Sequence, residues 1–382
     1  MKKIKVMHMI WSMKAGGAQQ IVLNYLKGFH NDKDIEIKLY VFDRSHDSKY
    51  DNEIKENNYD VVYLNNPHTK CSIPVINRVL QLLITQKAWY NAILDYEPDI
   101  VHVHISALLA HVLLPILKAK VPIRFDTLHS DPRVNKGWRL NRIKKAFTKK
   151  GFIPVCLNET QAHIAQQYYG IRNYVIVPNG VDFNVIKANQ ISKFEAREKL
   201  GYKANDFIIL ACGRLNPVKR FDLLLEVFAK VTTINPNAVL LIAGDGEEKD
   251  RLVMISKKLG ILNKVHFLGN INNVVPYYCV ADVMAITSST EAFSLVAVEA
   301  QACGLKCVIS AGVPKEIIFT HNVIRMKPEA TIDNWVDAIV GKTDYSMVQS
   351  NISQFDNQAV NNKLKSIYIN EYKKFTKSDS IL

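Results

Sequence analysis

VMAITSSTEAFSLVAVEAQACG, residues 283–304, opens as a β-rich apolar run, passes through a polar turn and continues at helical spacing until Gly304, a residue type that commonly closes helices. A strand that leads through a turn into a helix is half of a βαβ unit. The same alternation fills the chain. Apolar runs at 4–10, 35–42, 61–64, 100–104, 123–128, 153–157 and 175–178 are separated by helical-period segments, and a second series follows at 207–212, 239–244, 265–269, 283–287, 306–310 and, more weakly, 322–326. Two series of βα units predict an α/β protein with two doubly wound parallel sheets. The length of 382 residues agrees, since single cores stop growing below that size. The expected organisation is a first Rossmann-like domain over 1–185, a second over 186–350 and a C-terminal helical segment over 351–382, with the polar stretch after Pro178 as the connection.

Composition excludes several classes. With 48% hydrophobic and 22% charged residues the chain is neither disordered nor fibrous. Six cysteines (Cys71, Cys156, Cys212, Cys279, Cys303, Cys307) form no CxxC pair and several fall in apolar runs, which fits reduced thiols and a cytoplasmic setting. MKKIKVMHMIW at the start is too brief for a signal sequence, and ISALLAHVLLPIL at 105–117 is too short to cross a bilayer, so no transmembrane segment is expected. The net charge of +13 is uneven: residues 1–183 hold 25 Lys and Arg against 16 Asp and Glu. That half suits a negative partner. It lacks the aromatic-interleaved basic sheet of a nucleic-acid module, and no nucleic acid is expected.

In doubly wound sheets, ligands bind beyond the carboxyl ends of the strands. Glu291 and Glu299 sit there, eight positions apart. A fully helical interval would rise about 12 Å, more than the roughly 5–9.5 Å between the carboxyl groups of a glycosidase pair. The two acids suit separated hydroxyl groups instead. The helix N-terminus between them, at Phe293 to Val296, favours a phosphate, so the pattern reads hydroxyl, diphosphate, hydroxyl. An ordinary first-turn acid and a solvated helix residue remain the plain alternative.

Other strand ends carry compatible chemistry. GRLNPVK (213–219) places Arg214 and Lys219 where they can neutralise a diphosphate. Gly16 and Gly17 follow the first strand but do not make GxGxxG. AGDG (243–246) brings Asp245 and Gly246 to a turn. His102 and His104 share one strand face and offer a metal pair on paper, although a satisfied core histidine is the commoner outcome for such a pattern. KGWRLNRIKKAFTKK (136–150) has seven Lys and Arg and no acid. Leu140, Ile143 and Phe147 recur there at helical spacing.

Together GGAQ (16–19), TLH (127–129), VPNGVD (177–182), GRLNPVKRFDLLL (213–225), AGDGEEKDRL (243–252) and the E-x7-E pair resemble glycosyltransferase family 4 across nearly the whole chain. The resemblance implies the GT-B fold, two Rossmann-like domains facing across a cleft, and retaining transfer of a sugar from a nucleotide donor to an acceptor hydroxyl. It implies Glu299 on the donor ribose, Glu291 on the transferred sugar, and Phe293, Ser294 and Leu295 as backbone contacts to that sugar and the diphosphate. Arg214 and Lys219 then hold the diphosphate, and His129 points at the sugar. Gly17, Asp245 and Gly246 lie near the donor, and Gly16 and His104 on the acceptor side. Arg220 stands where family members often have glycine, and AGVPKEIIF (311–319) replaces a glycine-rich segment.

The expected protein is thus a hexosyl- or N-acetylhexosaminyl-transferase of surface polysaccharide, capsule or glycolipid assembly, using a UDP- or GDP-class sugar, UDP favoured, and no metal cofactor. Its acceptor is a glycan or lipid-linked molecule, and Lys136, Arg139, Arg142, Lys144, Lys145 and Lys149 form a face for an anionic membrane surface. A nucleotide-sugar 2-epimerase and a non-catalytic nucleotide-sugar-binding module stay open beside it.

Overall fold

The computed structural model describes residues 2–14, 16–43, 49–64, 74–341 and 352–379. The chain divides into two compact units, one of residues 1–180 with 354–382 and one of residues 181–353. No helix among the described residues is long and apolar enough to cross a membrane.

In the first unit the strands β1 (Ile4–Ser12), β2 (Ile35–Asp43), β3 (Val61–Tyr63), β4 (Ile100–His104), β5 (Ile123–Thr127), β6 (Phe152–Cys156) and β7 (Val175–Ile176) form one parallel sheet in the order β3-β2-β1-β4-β5-β6-β7. The order reverses at β1 and β4, the switch point where such sheets place their ligands. Central β1 and β4 are almost wholly buried, which is why they read as continuous apolar runs rather than alternating ones. His8 lies in register with His102 across that pair.

The C-terminal helix Asn357–Asp379 belongs to this first unit. Val360, Leu364 and Tyr368, four residues apart, bury one helical stripe. Gly28 has no room for a side chain, because an added Cβ would lie 1.8 Å from Asn361 Nδ2. Lys365 donates to Asp32 and Asp34, each at 2.7 Å. Those two acids form the chain's D-x-D string, and a lysine of the terminal helix holds both.

The second unit has β8 (Phe207–Cys212), β9 (Ala238–Ala243), β10 (Val265–Gly269), β11 (Val283–Ile286), β12 (Lys306–Ile309) and β13 (Val323–Arg325), all parallel, in the order β10-β9-β8-β11-β12-β13. On it lies the helix Phe221–Ile234, whose Phe221, Leu224, Leu225, Phe228 and Val231 repeat at three and four residues and are buried. Each such side chain contributes about 1.5–3 kcal/mol relative to exposure.

The polar stretch read as the connection carries two short helices. Asp182 accepts from the Val185 N–H at 3.0 Å and starts the helix Phe183–Asn189. Ser192 accepts from the Glu195 N–H at 3.2 Å and starts Lys193–Leu200. Capping side chains, invisible to an apolar-period reading, supply the missing order. Among the cysteines, Cys156, Cys212 and Cys307 are buried, Cys279 and Cys303 half-buried, and all five are free thiols; Cys71 lies outside the described residues. Burial pushes Cys156 and Cys303 up to about 12.

Candidate functional site

In the second unit three loops meet at the carboxyl ends of β8, β9 and β11. The loop after β8 crosses the loop after β9 so closely that a Cβ on Gly244 would lie 1.9 Å from Gly213 O, and one on Gly246 would lie 2.3 Å from Leu215 O. Backbone bonds tie the crossing: Gly213 N–H to Ala243 O at 2.9 Å, Leu215 N–H to Asp245 O at 2.9 Å and Glu248 N–H to Leu215 O at 3.0 Å. The glycines of AGDG are therefore required by packing between loops, beyond the demands of a turn. Asp245 is exposed and accepts from the Gly246 N–H at 2.8 Å.

Lys219 projects from the β8 loop and donates to Glu291 at 2.9 Å; the Glu291 side chain is 7% exposed and that of Lys219 22%. Ser288 donates to the same carboxylate oxygen at 2.7 Å. The Glu291 N–H reaches Gly312 O at 2.9 Å, so AGVPKEIIF supplies backbone support to this acid. Arg214, by contrast, is exposed and pairs with Glu247 at 3.2 Å. Arg220 has φ 52°, in the left-handed region that favours glycine. Thr287 Oγ1 lies 2.9 Å from both Lys219 O and Arg220 O and braces that conformation.

The helix Leu295–Ala302 follows, with Ser294 at its N-cap. Ser294 makes no capping bond, and its Oγ is buried without a partner. Glu299 falls in the second turn, as spacing predicted, and accepts from the Tyr278 hydroxyl at 2.7 Å. Burial first, then Glu299, raises the Tyr278 phenol well above its ordinary range, so it donates.

In the first unit, Gly17 opens the helix Gly17–Phe29 after β1, and Gly16 O accepts from the Gln20 N–H at 3.1 Å. Four histidines gather on β1 and β4 and just beyond β5. His8 Nδ1 lies 2.8 Å from His104 Nε2, and His104 Nδ1 lies 3.0 Å from His129 Nε2. His102 Nε2 lies 2.6 Å from Thr127 Oγ1, and its Nδ1 meets the Tyr368 hydroxyl. That hydroxyl also lies 3.1 Å from His8 Nε2. His8, His102 and His104 are fully buried. Burial pushes His8 and His129 down to about 3 and holds His102 and His104 well below the usual histidine range, so all four are neutral at pH 7.

Ligand atoms of His8, His102 and His104 all lie within 4.8 Å of one another, the spacing of a possible metal cage. Their hydrogen bonds argue otherwise. Two nitrogens bound to one tetrahedral zinc at about 2.0–2.1 Å stand about 3.3 Å apart, whereas His8 and His104 approach to 2.8 Å, a hydrogen-bond distance. All six ring nitrogens of the three already have partners. His104, expected on the acceptor side, is thus placed inside the sheet end with both nitrogens engaged, and only half-buried His129 carries this cluster outward.

The basic helix runs Gly137–Lys149. Ile143 is buried and Leu140 and Phe147 pack beside it, as their spacing predicted. Lys136, Arg139, Lys145 and Lys149 are exposed, with Trp138 half-exposed at 50%. Arg142 instead donates to Ala110 O at 2.9 Å, and Lys144 is half-buried.

The model for Glycosyltransferase Family 4 matches residues 15–185, and that for Glycosyl transferases group 1 matches residues 192–340. The chain belongs to these glycosyltransferase families. It is 23% identical to the putative glycosyltransferase EpsF of Bacillus subtilis over 94% of both chains. It is 28% identical to N-acetyl-alpha-D-glucosaminyl L-malate synthase of Bacillus anthracis over 57% of this chain, spanning 58% of that relative's length. Among solved structures, Anabaena Alr3699/HepE in complex with UDP and glucose aligns with a TM-score of 0.70 at 19% identity, covering 99% of this chain and 100% of that one. The fold is GT-B.

As a glycosyltransferase of this fold, the second unit offers two carboxylates, one lysine and an uncapped helix N-terminus on adjacent strand ends. Several participants escaped the sequence reading. Tyr278 and Ser288 are single polar residues whose bonds to Glu299 and Glu291 are tertiary. Thr127 and Tyr368 join the histidines from β5 and from the far end of the chain. His8 had a signal, since MHMI puts a histidine in the innermost strand as VHVH does in its neighbour.

Proposed function

We propose that the chain is a retaining glycosyltransferase that moves a sugar from a UDP-sugar to an acceptor hydroxyl in surface polysaccharide or glycolipid assembly. The observation that carries this reading is the cluster of Glu291, Lys219, Ser294 and Glu299 at the ends of β8 and β11, in which a buried acid and its lysine adjoin a helix N-terminus. A donor diphosphate would draw Lys219 partly away from Glu291, which then has an oxygen for a sugar hydroxyl. Glu299, held by Tyr278, takes the ribose hydroxyls. As the diphosphate leaves, negative charge grows on it, and Lys219 and the helix amides meet that charge in place. Arg214, exposed beside Glu247, reaches the same phosphates from the rim.

The reading assigns no step to a divalent cation, because lysine, arginine and amides supply the positive field. Support for a UDP donor comes from the HepE complex, and for glycosyl transfer from the similarity to EpsF over 94% of both chains. The exposed Lys136, Arg139, Lys145, Lys149 and Trp138 favour anionic lipid near the acceptor, each charge contributing on the order of 1 kcal/mol at such a surface.

A panel of nucleotides and nucleotide sugars should raise the melting temperature for uridine species above others. The protein with UDP-sugar alone should release no epimerised sugar, and turnover should persist in EDTA. Epimerised product without acceptor would replace the transferase reading with the epimerase one, and loss of turnover in EDTA restored by magnesium would remove the metal-free account. Failure to sediment with anionic vesicles at low salt would leave a soluble acceptor.

A further inference from the structure

The buried cluster of the first unit is a single unbranched chain of hydrogen bonds. It runs Thr127 Oγ1, His102, Tyr368 Oη, His8, His104, His129, with each inner group bonded on both sides. A neutral imidazole has one N–H and one lone-pair nitrogen, and a phenol has one O–H, so each inner group donates once and accepts once. Such a chain has a direction. Either every proton points toward His129, which makes all four histidines Nδ1–H, or every proton points toward Thr127, which makes all four Nε2–H.

Thr127 decides between them. It is fully buried, and among the described residues its hydroxyl has no hydrogen bond besides that to His102 Nε2. If His102 donated to it, the Thr127 proton would be a buried donor without an acceptor, the costly arrangement. If Thr127 donates, every donor and acceptor along the chain is satisfied as far as His129. Heavy-atom positions alone do not fix tautomers, but this count of donors does.

We propose that these six residues form a one-way hydrogen-bonded wire that holds His8, His102, His104 and His129 all as Nδ1–H tautomers, so that Thr127 and Tyr368 act as positioning residues for His129. His129 Nε2 is spent on His104, and its Nδ1–H, with no protein partner among the described residues, is the group it offers to a ligand. Resting on the transferase reading above, that group is a hydrogen-bond donor to an oxygen of the ligand; it is not a base. The low protonation range of the four rings agrees, since an added proton would reverse or break the chain.

The test is two-bond 1H–15N correlation spectroscopy on the full-length protein with 15N-labelled histidine at neutral pH, which assigns the tautomer of each ring. Four Nδ1–H rings are expected. Any one of the four as Nε2–H overturns the wire. Tyr368→Phe removes the central hydroxyl, and His129 should then show a mixture of tautomers, whereas a merely structural Tyr368 would leave His129 wholly Nδ1–H and overturn its positioning role. Thr127→Val keeps the shape without the hydroxyl and should give the same mixture, and Thr127→Ser should restore four Nδ1–H rings; this pair serves if the phenylalanine variant does not fold. A separate arm adds UDP-glucose to the wild type. Four Nδ1–H rings with no shift of the His129 Nδ1–H signal would count against its contact with this ligand and leave the wire intact.

Discussion

The strand ends of the two units are built by different means. In the first, buried side chains make the structure: imidazoles, a phenol and a threonine satisfy one another in line, and none of these groups is charged at pH 7. In the second, backbone crosses backbone at Gly213 and Gly244, and a buried acid, Glu291, is balanced by a lysine and a serine hydroxyl. A neutral wire depends on every proton being where it is and so is exposed to acid. A loop crossing depends on the absence of side chains and so is exposed to the smallest addition of volume. An ion pair at a ligand site depends on both partners and can be lent to a ligand.

Acid should separate the two units most. The four histidines bind protons in the unfolded chain below about pH 6.5; in the folded one burial lowers His8 and His129 to about 3 and holds His102 and His104 well below the usual histidine range. Over that window the unfolded state holds more protons, so stability falls as pH drops, by about 1 kcal/mol per histidine per pH unit. Denaturant melts of a Trp335→Phe variant, whose other tryptophans all lie in the first unit, should show a loss of about 4 kcal/mol between pH 6 and 5. An unchanged midpoint would mean the rings are not buried neutral.

Gly244→Ala tests the other side of the comparison. Its Cβ cannot fit beside Gly213 O, and φ of 139° adds strain, so the second unit should lose about 2–4 kcal/mol while the first is untouched. A variant as stable as wild type would show that the loops do not cross as described. Lys219→Ala should cost somewhat less, about 2–3 kcal/mol, because Glu291 keeps Ser288 but loses its counter-charge. The double variant Lys219→Ala with Glu291→Gln should recover part of that loss in the same melt. No recovery would mean the pair is not coupled.

The sheets were legible because parallel strands buried on both faces are apolar runs: all thirteen strands lie where those runs are, within one residue except at the ends of β1 and β7, where the difference is two. The helix Leu295–Ala302 and the place of Glu299 in it followed from spacing and Gly304. What the residues did not disclose were long-range polar contacts. Tyr368 reaches His102 across 266 positions, and no local pattern marks it. The pairing of Lys219 with Glu291 was likewise hidden, since both were read separately as ligand groups. Arg220 looked like a departure from a glycine position, and the structure shows why glycine would suit: the backbone there is left-handed and is held by Thr287.

The central claim is that the second unit holds a nucleotide sugar between Glu299 and Glu291. Isothermal titration of wild type, Glu299→Ala and Glu291→Ala with UDP and with UDP-glucose tests it most directly. The account predicts that Glu299→Ala weakens both ligands at least about tenfold, the equivalent of 1.4 kcal/mol, while Glu291→Ala leaves UDP unchanged and weakens only UDP-glucose. Equal affinities for both ligands across all three proteins would contradict it.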